Sequence, residues 1–192
     1  MKHETTTLMT KTALVASLKK LMEKKSLNKI SVRDIIEECG VNRKTFYYHF
    51  QDIYDLVRWM LEIEAIEIVK KYDLIVNYKD AVRFAVNYIE KNKHICSCAF
   101  DALGRDELKR FLYKDFIGIF GNIIEKFSEG ISVSYDYKVF LVEIYTETFA
   151  SFLIDLIRSE KKNDKEKMIK YITFTLFGVI KPMLEKAAIE FK

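Results

Sequence analysis

Two short helical patterns lie on either side of Gly40, and this arrangement constrains the fold more than any other feature of the chain. In the first, "VRDIIEEC", apolar residues recur at the spacing of one helix face, and Ser31 with Asp34 forms a capping-box pattern at its start. In the second, "RKTFYYHF", Asn42 is placed to cap the first turn. Gly40 suits the left-handed conformation that ends a helix. The sequence therefore predicts a helix-turn-helix whose second helix covers 42–50.

Helical periodicity continues on both sides of this motif. An apolar stripe predicts an amphipathic helix over 11–25, and Asp52 is placed to cap a fourth helix that runs towards Lys71. Pro182 is the only proline among 192 residues and there are only six glycines, which disfavours a turn-rich β fold. Further helices are expected at roughly 79–91, 95–103, 105–127, 135–158 and 164–190.

The predicted fold class is all-α, with about nine helices. We expect an N-terminal three-helix helix-turn-helix domain over 1–51 and a C-terminal helical domain for effector binding and dimerisation over 52–192. No Pro-rich or Gly-rich linker separates the two parts, so the fourth helix is expected to form the joint.

The charge of the chain is unevenly distributed. Residues 1–50 contain ten Lys or Arg against five Asp or Glu, whereas the remainder is nearly neutral, within an overall charge of +4. A basic N-terminal segment is typical of a protein that meets a polyanion, although charge alone also fits a well-solvated surface. The polar start of the chain and the short uncharged run at 171–180 predict a cytoplasmic protein without a membrane anchor.

The predicted third helix has two different faces. Phe46 and Phe50 fall together on one side and are expected to face the core. Four polar or basic side chains point outward from the other side: Arg43, Lys44, Tyr47 and Tyr48. The major groove of DNA admits a helix, and such side chains can contact base edges there, while the flanking Thr45 and His49 can bond phosphates. The alternative is that the tyrosines cover a neighbouring helix.

The stretch "ISVRDIIEECGVNRKTFYYHFQDIYDLV", residues 30–57, resembles the DNA-binding domain of the TetR/AcrR family of bacterial transcription regulators. The shared pattern is a helix, Gly-Val, a polar turn and Thr-hydrophobic-Tyr-x-His/Tyr-Phe, and with the preceding helix it covers about the first 55 residues. The resemblance implies base contacts by Arg43, Lys44, Tyr47 and Tyr48. It implies phosphate contacts by Arg33, Thr45 and His49. Ile53 stands where the family usually has a phosphate-binding lysine.

By this resemblance the chain is expected to be a sequence-specific DNA-binding transcription regulator. One recognition helix contacts few base pairs, so we expect a homodimer on double-stranded DNA that carries a palindromic operator. The main expectation is a repressor whose operator binding is modulated by a small-molecule effector in the C-terminal domain. The alternative is a regulator or activator controlled by a protein co-regulator, because "TFASFLIDLIRSEKKNDKEKMIKYI" is similar to the subgroup that includes activators of dihydroxyacetone-kinase operons.

Apolar stripes on the last two helical segments are candidates for the dimer interface, as in TetR-like proteins. They comprise Tyr145, Phe149, Phe152, Leu153, Leu156, Ile169, Ile172, Leu176, Ile180, Met183 and Leu184. An intramolecular core accounts for the main stripes but less easily for the apolar residues beside them, which include Phe174, Phe177 and Val179.

An effector pocket is expected in the middle of the chain, where the family usually has one. Its candidate lining consists of Phe84, Tyr88, Phe100, Phe111, Phe116 and Phe120. Aromatic residues at helical spacing also fit a plain hydrophobic core.

The segment "HICSC" contains three potential metal ligands, His94, Cys96 and Cys98. A structural zinc site needs four ligands at paired spacing, so we expect half-buried helix cysteines, no metal and no cofactor, with a thiol switch as a lesser hypothesis. The sequence has no phosphate-binding loop, dinucleotide fingerprint or catalytic triad pattern, and it does not predict an enzyme.

Overall fold

The computed structural model describes residues 2–69, 71, 77–159 and 165–191. Within these ranges every regular element is helical, which confirms the predicted all-α class. The helices are α1 Lys2–Met22, α2 Val32–Cys39, α3 Arg43–His49, α4 from Ile53–Leu61 through Glu62–Ile66 to Glu67–Val69, α5 Tyr78–Lys91, α6 Lys93–Leu103, α7 Arg105–Phe127, α8 Tyr135–Arg158, and α9 from Lys165–Ile172 through Thr173–Phe177 to Ile180–Glu190. The predicted break at 160–163 and the start of the last helix at 164 lie outside the described residues.

The boundaries of α2 and α3 are set by side-chain caps, as predicted. Ser31 accepts a hydrogen bond from the Asp34 backbone N–H, and the Asp34 carboxylate accepts one from the Ser31 backbone N–H. Gly40 ends α2 with φ 74° and ψ 24°, a conformation that costs a glycine little. Asn42 then caps α3 by accepting from the Thr45 N–H at 2.9 Å. Local hydrogen bonds therefore fix the turn between the two helices.

The capping box also makes the stability of this region depend on pH. Hydrogen bonds from Ser31, together with the Lys25 ammonium at 3.0 Å, lower the pKa of Asp34 to about 2. Because the folded pKa lies below the ordinary value of about 3.9, the ionised carboxylate stabilises the fold above that value, and this contribution is lost as the pH falls through the folded pKa. We expect Asp34→Asn to be less stable than the wild type at neutral pH in urea titrations, with the difference closing near pH 2. The analogous substitution at an exposed acid outside the capping box, Glu129→Gln, is the control, and a difference that persists unchanged at low pH contradicts the prediction.

The N-terminal helices enclose a small core around Phe46. Phe46 is fully buried, as are Leu14 and Leu18 of α1, Ile35 of α2 and Leu56 of α4. These side chains come from all four helices, so the position of α3 depends on a shared apolar contact as well as on its caps.

One basic side chain of α1 contacts both the end of α3 and α4. The Lys11 ammonium lies 5.1 Å from the ring centre of Phe50 and 5.0 Å from that of Trp59. The two rings are themselves 5.7 Å apart, and cation–π contacts of this kind orient the helices they join.

The C-terminal part of the fold is built around the antiparallel pair α7 and α8. Arg105 at the start of α7 donates to Asp155 near the end of α8 at 3.1 Å, and Lys138 near the start of α8 donates to Glu125 near the end of α7 at 3.1 Å. Between these two ion pairs lies an aromatic cluster in which Phe120 contacts three other rings. Those rings belong to Tyr145, Phe149 and Phe177.

Two helices contain a widened turn that the sequence analysis did not predict. In α4 the Glu67 N–H bonds to the Glu62 carbonyl, and in α9 the Gly178 N–H bonds to the Thr173 carbonyl at 3.0 Å, which is the five-residue spacing of a π-helical turn. Pro182 follows the second turn, in the first turn of the last segment of α9. Its missing N–H has no cost there, because the first N–H groups of a helical segment lack intrahelical partners.

Among the described residues, none of the helices combines the length and the apolar character that a membrane span requires.

Candidate nucleic-acid interface

Helix α3 presents four side chains to solvent above a buried anchor. Tyr47 is 47% exposed and Tyr48 71% exposed, whereas Phe46 is fully buried and Phe50 is 3% exposed. Arg43 and Lys44 are also exposed, at the N-terminal turn of the helix. The buried pair holds the helix while its other face stays open. Both tyrosines remain exposed, so the alternative interpretation, in which they cover a neighbouring helix, does not hold.

The exposed face of α3 is basic and aromatic. The Arg43 guanidinium lies 5.5 Å from the ring centre of Tyr47, within the range of a cation–π contact. Among the described residues neither Arg43 nor Lys44 has an acidic partner, so both charges are available to an external anion. Arginine and lysine donate to guanine acceptors, and an exposed aromatic ring can contact the methyl group of thymine.

The residues assigned to phosphate contacts lie around this face. Arg33 is exposed at the start of α2, where its Nε donates to Glu37 at 2.7 Å. Thr45 is half-buried and its hydroxyl donates to the Asn42 side chain at 3.1 Å, and His49 is half-buried with its ring 4.9 Å from that of Tyr48. Ile53 packs against the hydrophobic core. It therefore does not replace the phosphate-binding lysine that the family usually has at this place.

A polar joint between the N-terminal helices and the body was missed by the sequence analysis. Lys19 of α1 donates to Glu64 in the widened turn of α4 at 2.8 Å, and the Tyr88 hydroxyl of α5 donates to the same carboxylate oxygen at 3.0 Å. His94 of α6 lies 2.7 Å, through Nε2, from the Met22 carbonyl at the end of α1. Glu64 is one of three glutamates in "LEIEAIEIV", and contacts between such distant residues leave no sequence pattern that singles it out.

The six residues predicted to line an effector pocket do not enclose one space. Tyr88, Phe111 and Phe116 border an apolar cavity of about 50 Å³ between α4 and the helices of the body. Phe84 lies with Tyr88 on an outer groove, Phe100 lies under the Arg158 guanidinium, and Phe120 belongs to the aromatic core. Binding cavities for small molecules are roughly 300–1,000 Å³. The inner cavity is therefore too small for such an effector in this conformation.

Most residues predicted for the dimer interface are buried inside the chain itself. Those that the fold encloses are Tyr145, Phe149, Leu153, Leu156, Ile169, Ile172, Leu176, Ile180 and Leu184. Phe152 and Met183 are half-buried. The main apolar stripes of these two helices therefore pack into the core of the chain itself. The exposed apolar residues on the same two helices are different ones, and they include Phe140, Ile144, Tyr171 and Phe174.

The "HICSC" segment lies on α6 at the polar joint. Cys96 and Cys98 are buried free thiols, and Cys98 Sγ is 3.8 Å from His94 Nε2. Burial raises the pKa of the Cys96 thiol to about 12, so the reactive thiolate is scarce at neutral pH. Among the described residues no three His, Cys, Asp or Glu side chains come together in a way that could hold a metal ion.

Two family models match the chain over most of its length. Residues 14–60 match the model described as bacterial regulatory proteins, tetR family, and residues 77–178 match the model described as transcriptional regulator C-terminal region. The first covers the helix-turn-helix and the second covers half of the chain, from α5 into α9.

Two similar proteins are both described as operon activators. A curated relative from Lactococcus lactis subsp. lactis (strain IL1403), the HTH-type dhaKLM operon transcriptional activator DhaS, is 24% identical over 86 residues, which is 45% of this chain and 46% of the relative. The match therefore spans less than half the length of that protein. A solved structure described as dihydroxyacetone kinase operon activator DhaS superimposes with a TM-score of 0.71 at 20% identity, over 91% of this chain and 98% of the other. At this identity the structural match establishes the fold.

Proposed function

The chain belongs to the TetR family of bacterial DNA-binding regulators, and from this premise we propose that it binds a palindromic operator as a homodimer through the exposed face of α3. The observation that carries the proposal is the open face of Arg43, Lys44, Tyr47 and Tyr48 above the buried Phe46. In the proposal these four side chains contact bases. Arg33, Thr45 and His49 contact phosphates and set the register, which requires Arg33 to leave Glu37 for the DNA.

A dimer is needed because one α3 is too short to specify an operator. The helix has seven residues, and a single module buries less surface than specific DNA complexes require. We assign the dimer surface to the exposed apolar residues of α8 and α9, with Phe140 and Ile144 on the first and Tyr171 and Phe174 on the second. Phe174 is 70% exposed, which is unusual for a phenylalanine and fits a surface that a second copy covers. In this assignment residues 1–51 read the DNA, and 52–192 dimerise and respond to an effector.

Two modes of control are consistent with the body of the fold. In the first, the chain is a repressor released by a small effector, which must bind outside the small inner cavity or enlarge it. In the second, a protein co-regulator controls an activator. The name of the curated relative describes an activator and so favours activation over repression. Deletion of the gene for this protein distinguishes the two roles. Transcription of the target genes should fall if the protein is an activator and rise if it is a repressor.

Footprinting of the purified protein on DNA flanking its gene tests the proposal. We expect protection of a two-fold symmetric site whose half-sites are about 34 Å apart, or a multiple of that distance, because the two α3 helices enter grooves on one face of the duplex. Phe174→Glu should leave the fold intact, since the side chain is exposed, but should yield monomers in sedimentation experiments and abolish symmetric protection.

The matched control is Leu8→Glu, which places the same charge on an exposed apolar position of α1 outside the assigned surface. The Leu8→Glu protein should remain dimeric. A dimeric Phe174→Glu protein contradicts the assigned surface, and an absence of any protected palindrome at moderate salt contradicts the proposed function.

A further inference from the structure

An open groove of about 460 Å³ lies where α1, the widened turn of α4 and α5 meet. Lys19 lies on its α1 side, Glu64 on its α4 side, and Phe84, Tyr88 and Lys91 on its α5 side. This volume lies in the range of small-molecule sites, unlike that of the inner cavity. The groove is formed by residues from both the DNA-binding helices and the body, so a molecule bound there touches both.

The polar groups of the groove favour an anion. The single carboxylate, Glu64, is already satisfied by Lys19 at 2.8 Å and by the Tyr88 hydroxyl at 3.0 Å. Lys91 is exposed and has no acidic partner among the described residues. Two ammonium groups against one carboxylate leave a net positive charge on the groove.

In the rest of the lining two aromatic rings stand beside Ile63 and two asparagines. The rings of Phe84 and Tyr88 are 6.3 Å apart and tilted by 30°, and both face the groove. Burial and the neighbouring Glu64 raise the pKa of Tyr88, so its hydroxyl stays protonated and keeps donating to Glu64. Offset or edge contacts with such a wall favour a flat apolar body over a hydrated one.

We propose that this groove is the effector site and binds a small aromatic carboxylate, with its acid group held between Lys91 and Lys19 and its ring against Phe84 and Tyr88. The binding assignment is independent of the proposed function, whereas its regulatory role rests on it. The ligand carboxylate competes with Glu64 for the Lys19 ammonium. Binding therefore loosens the contact between α1 and α4, and a ligand that prefers the loosened arrangement shifts the orientation of the DNA-binding helices.

Calorimetric titration of the full-length protein tests the site with phenylacetate and its neutral analogue phenylacetamide. We expect millimolar binding of phenylacetate and at least about tenfold weaker binding of phenylacetamide, because only the acid accepts charge-assisted hydrogen bonds. Lys91→Met should weaken phenylacetate binding about tenfold for the same reason. Lys126→Met, an exposed lysine at the end of α7, is the matched control and should bind as the wild type does.

Glu64→Gln tests the competition. Removing the charge that competes for Lys19 should tighten phenylacetate binding by about threefold or more, the scale of one partly exposed ion pair. No binding of phenylacetate, equal binding of acid and amide, or wild-type affinity in Lys91→Met overturns the groove assignment. Unchanged or weaker binding in Glu64→Gln overturns the competition.

Gel-shift titration of the same samples distinguishes a failure of this inference from a failure of the proposed function. Phenylacetate should lower the affinity for the operator in the wild type and not in Lys91→Met, and an unchanged affinity overturns the regulatory role. A protein that binds no operator even without phenylacetate counts against the proposed function, while the calorimetric result decides the groove.

Discussion

Lys44→Ala is expected to lose base discrimination at one operator position, by about 1–3 kcal/mol between the preferred and a substituted base pair. Lys44 is exposed at the first turn of α3, where a recognition helix reaches base edges, and it has no acidic partner among the described residues. Gel-shift titrations against a set of single-base operator variants measure this effect.

Thr45→Ala should behave differently, because Thr45 is assigned to a phosphate. We expect its affinity to fall by a similar factor on every operator variant, without a change in preference. Thr45→Ser keeps the hydroxyl that donates to Asn42 and is the matched control. If Lys44→Ala and Thr45→Ala produce the same profile across the operator set, the division of roles between these two residues is wrong.

Phe46→Ala should be the most destabilising single change in the DNA-binding helices. Phe46 is fully buried among side chains of α1, α2 and α4, and truncating a buried phenylalanine costs roughly 3–5 kcal/mol. Because that cost is comparable with the whole stability of a small domain, we expect loss of operator binding together with early unfolding of the N-terminal helices. Urea titration followed by the fluorescence of Trp59, the only tryptophan, measures the change.

Phe46→Leu is the conservative comparison and should retain part of the stability and measurable DNA binding, since it removes less volume. An equal loss in both variants contradicts a packing role. So does a Phe46→Ala protein that unfolds like the wild type.

The helix-turn-helix could be predicted closely because its determinants are local. The caps at Ser31, Asn42 and Asp52 and the left-handed Gly40 each act within a few residues, and the structure confirms all four. The exposed and buried faces of α3 also follow from helical spacing alone.

The features that the sequence analysis missed depend on contacts between distant residues. The widened turn of α4 hardly disturbs an apolar stripe, and the contact of Lys19 with Glu64 joins residues that are 45 positions apart. The predicted dimer residues show the same limit. Periodicity indicates which apolar residues share a helix face. Whether Leu184 or Phe174 faces outward depends on which helices of the chain pack against that face.

The caps of α2, α3 and α4 consist of residues other than the four that face solvent on α3. Substitutions at those four positions therefore leave every one of these caps in place. Under the proposed base contacts, a lineage of such chains can acquire new target sequences by surface substitution alone, and an engineer can randomise the same four codons without first redesigning the domain.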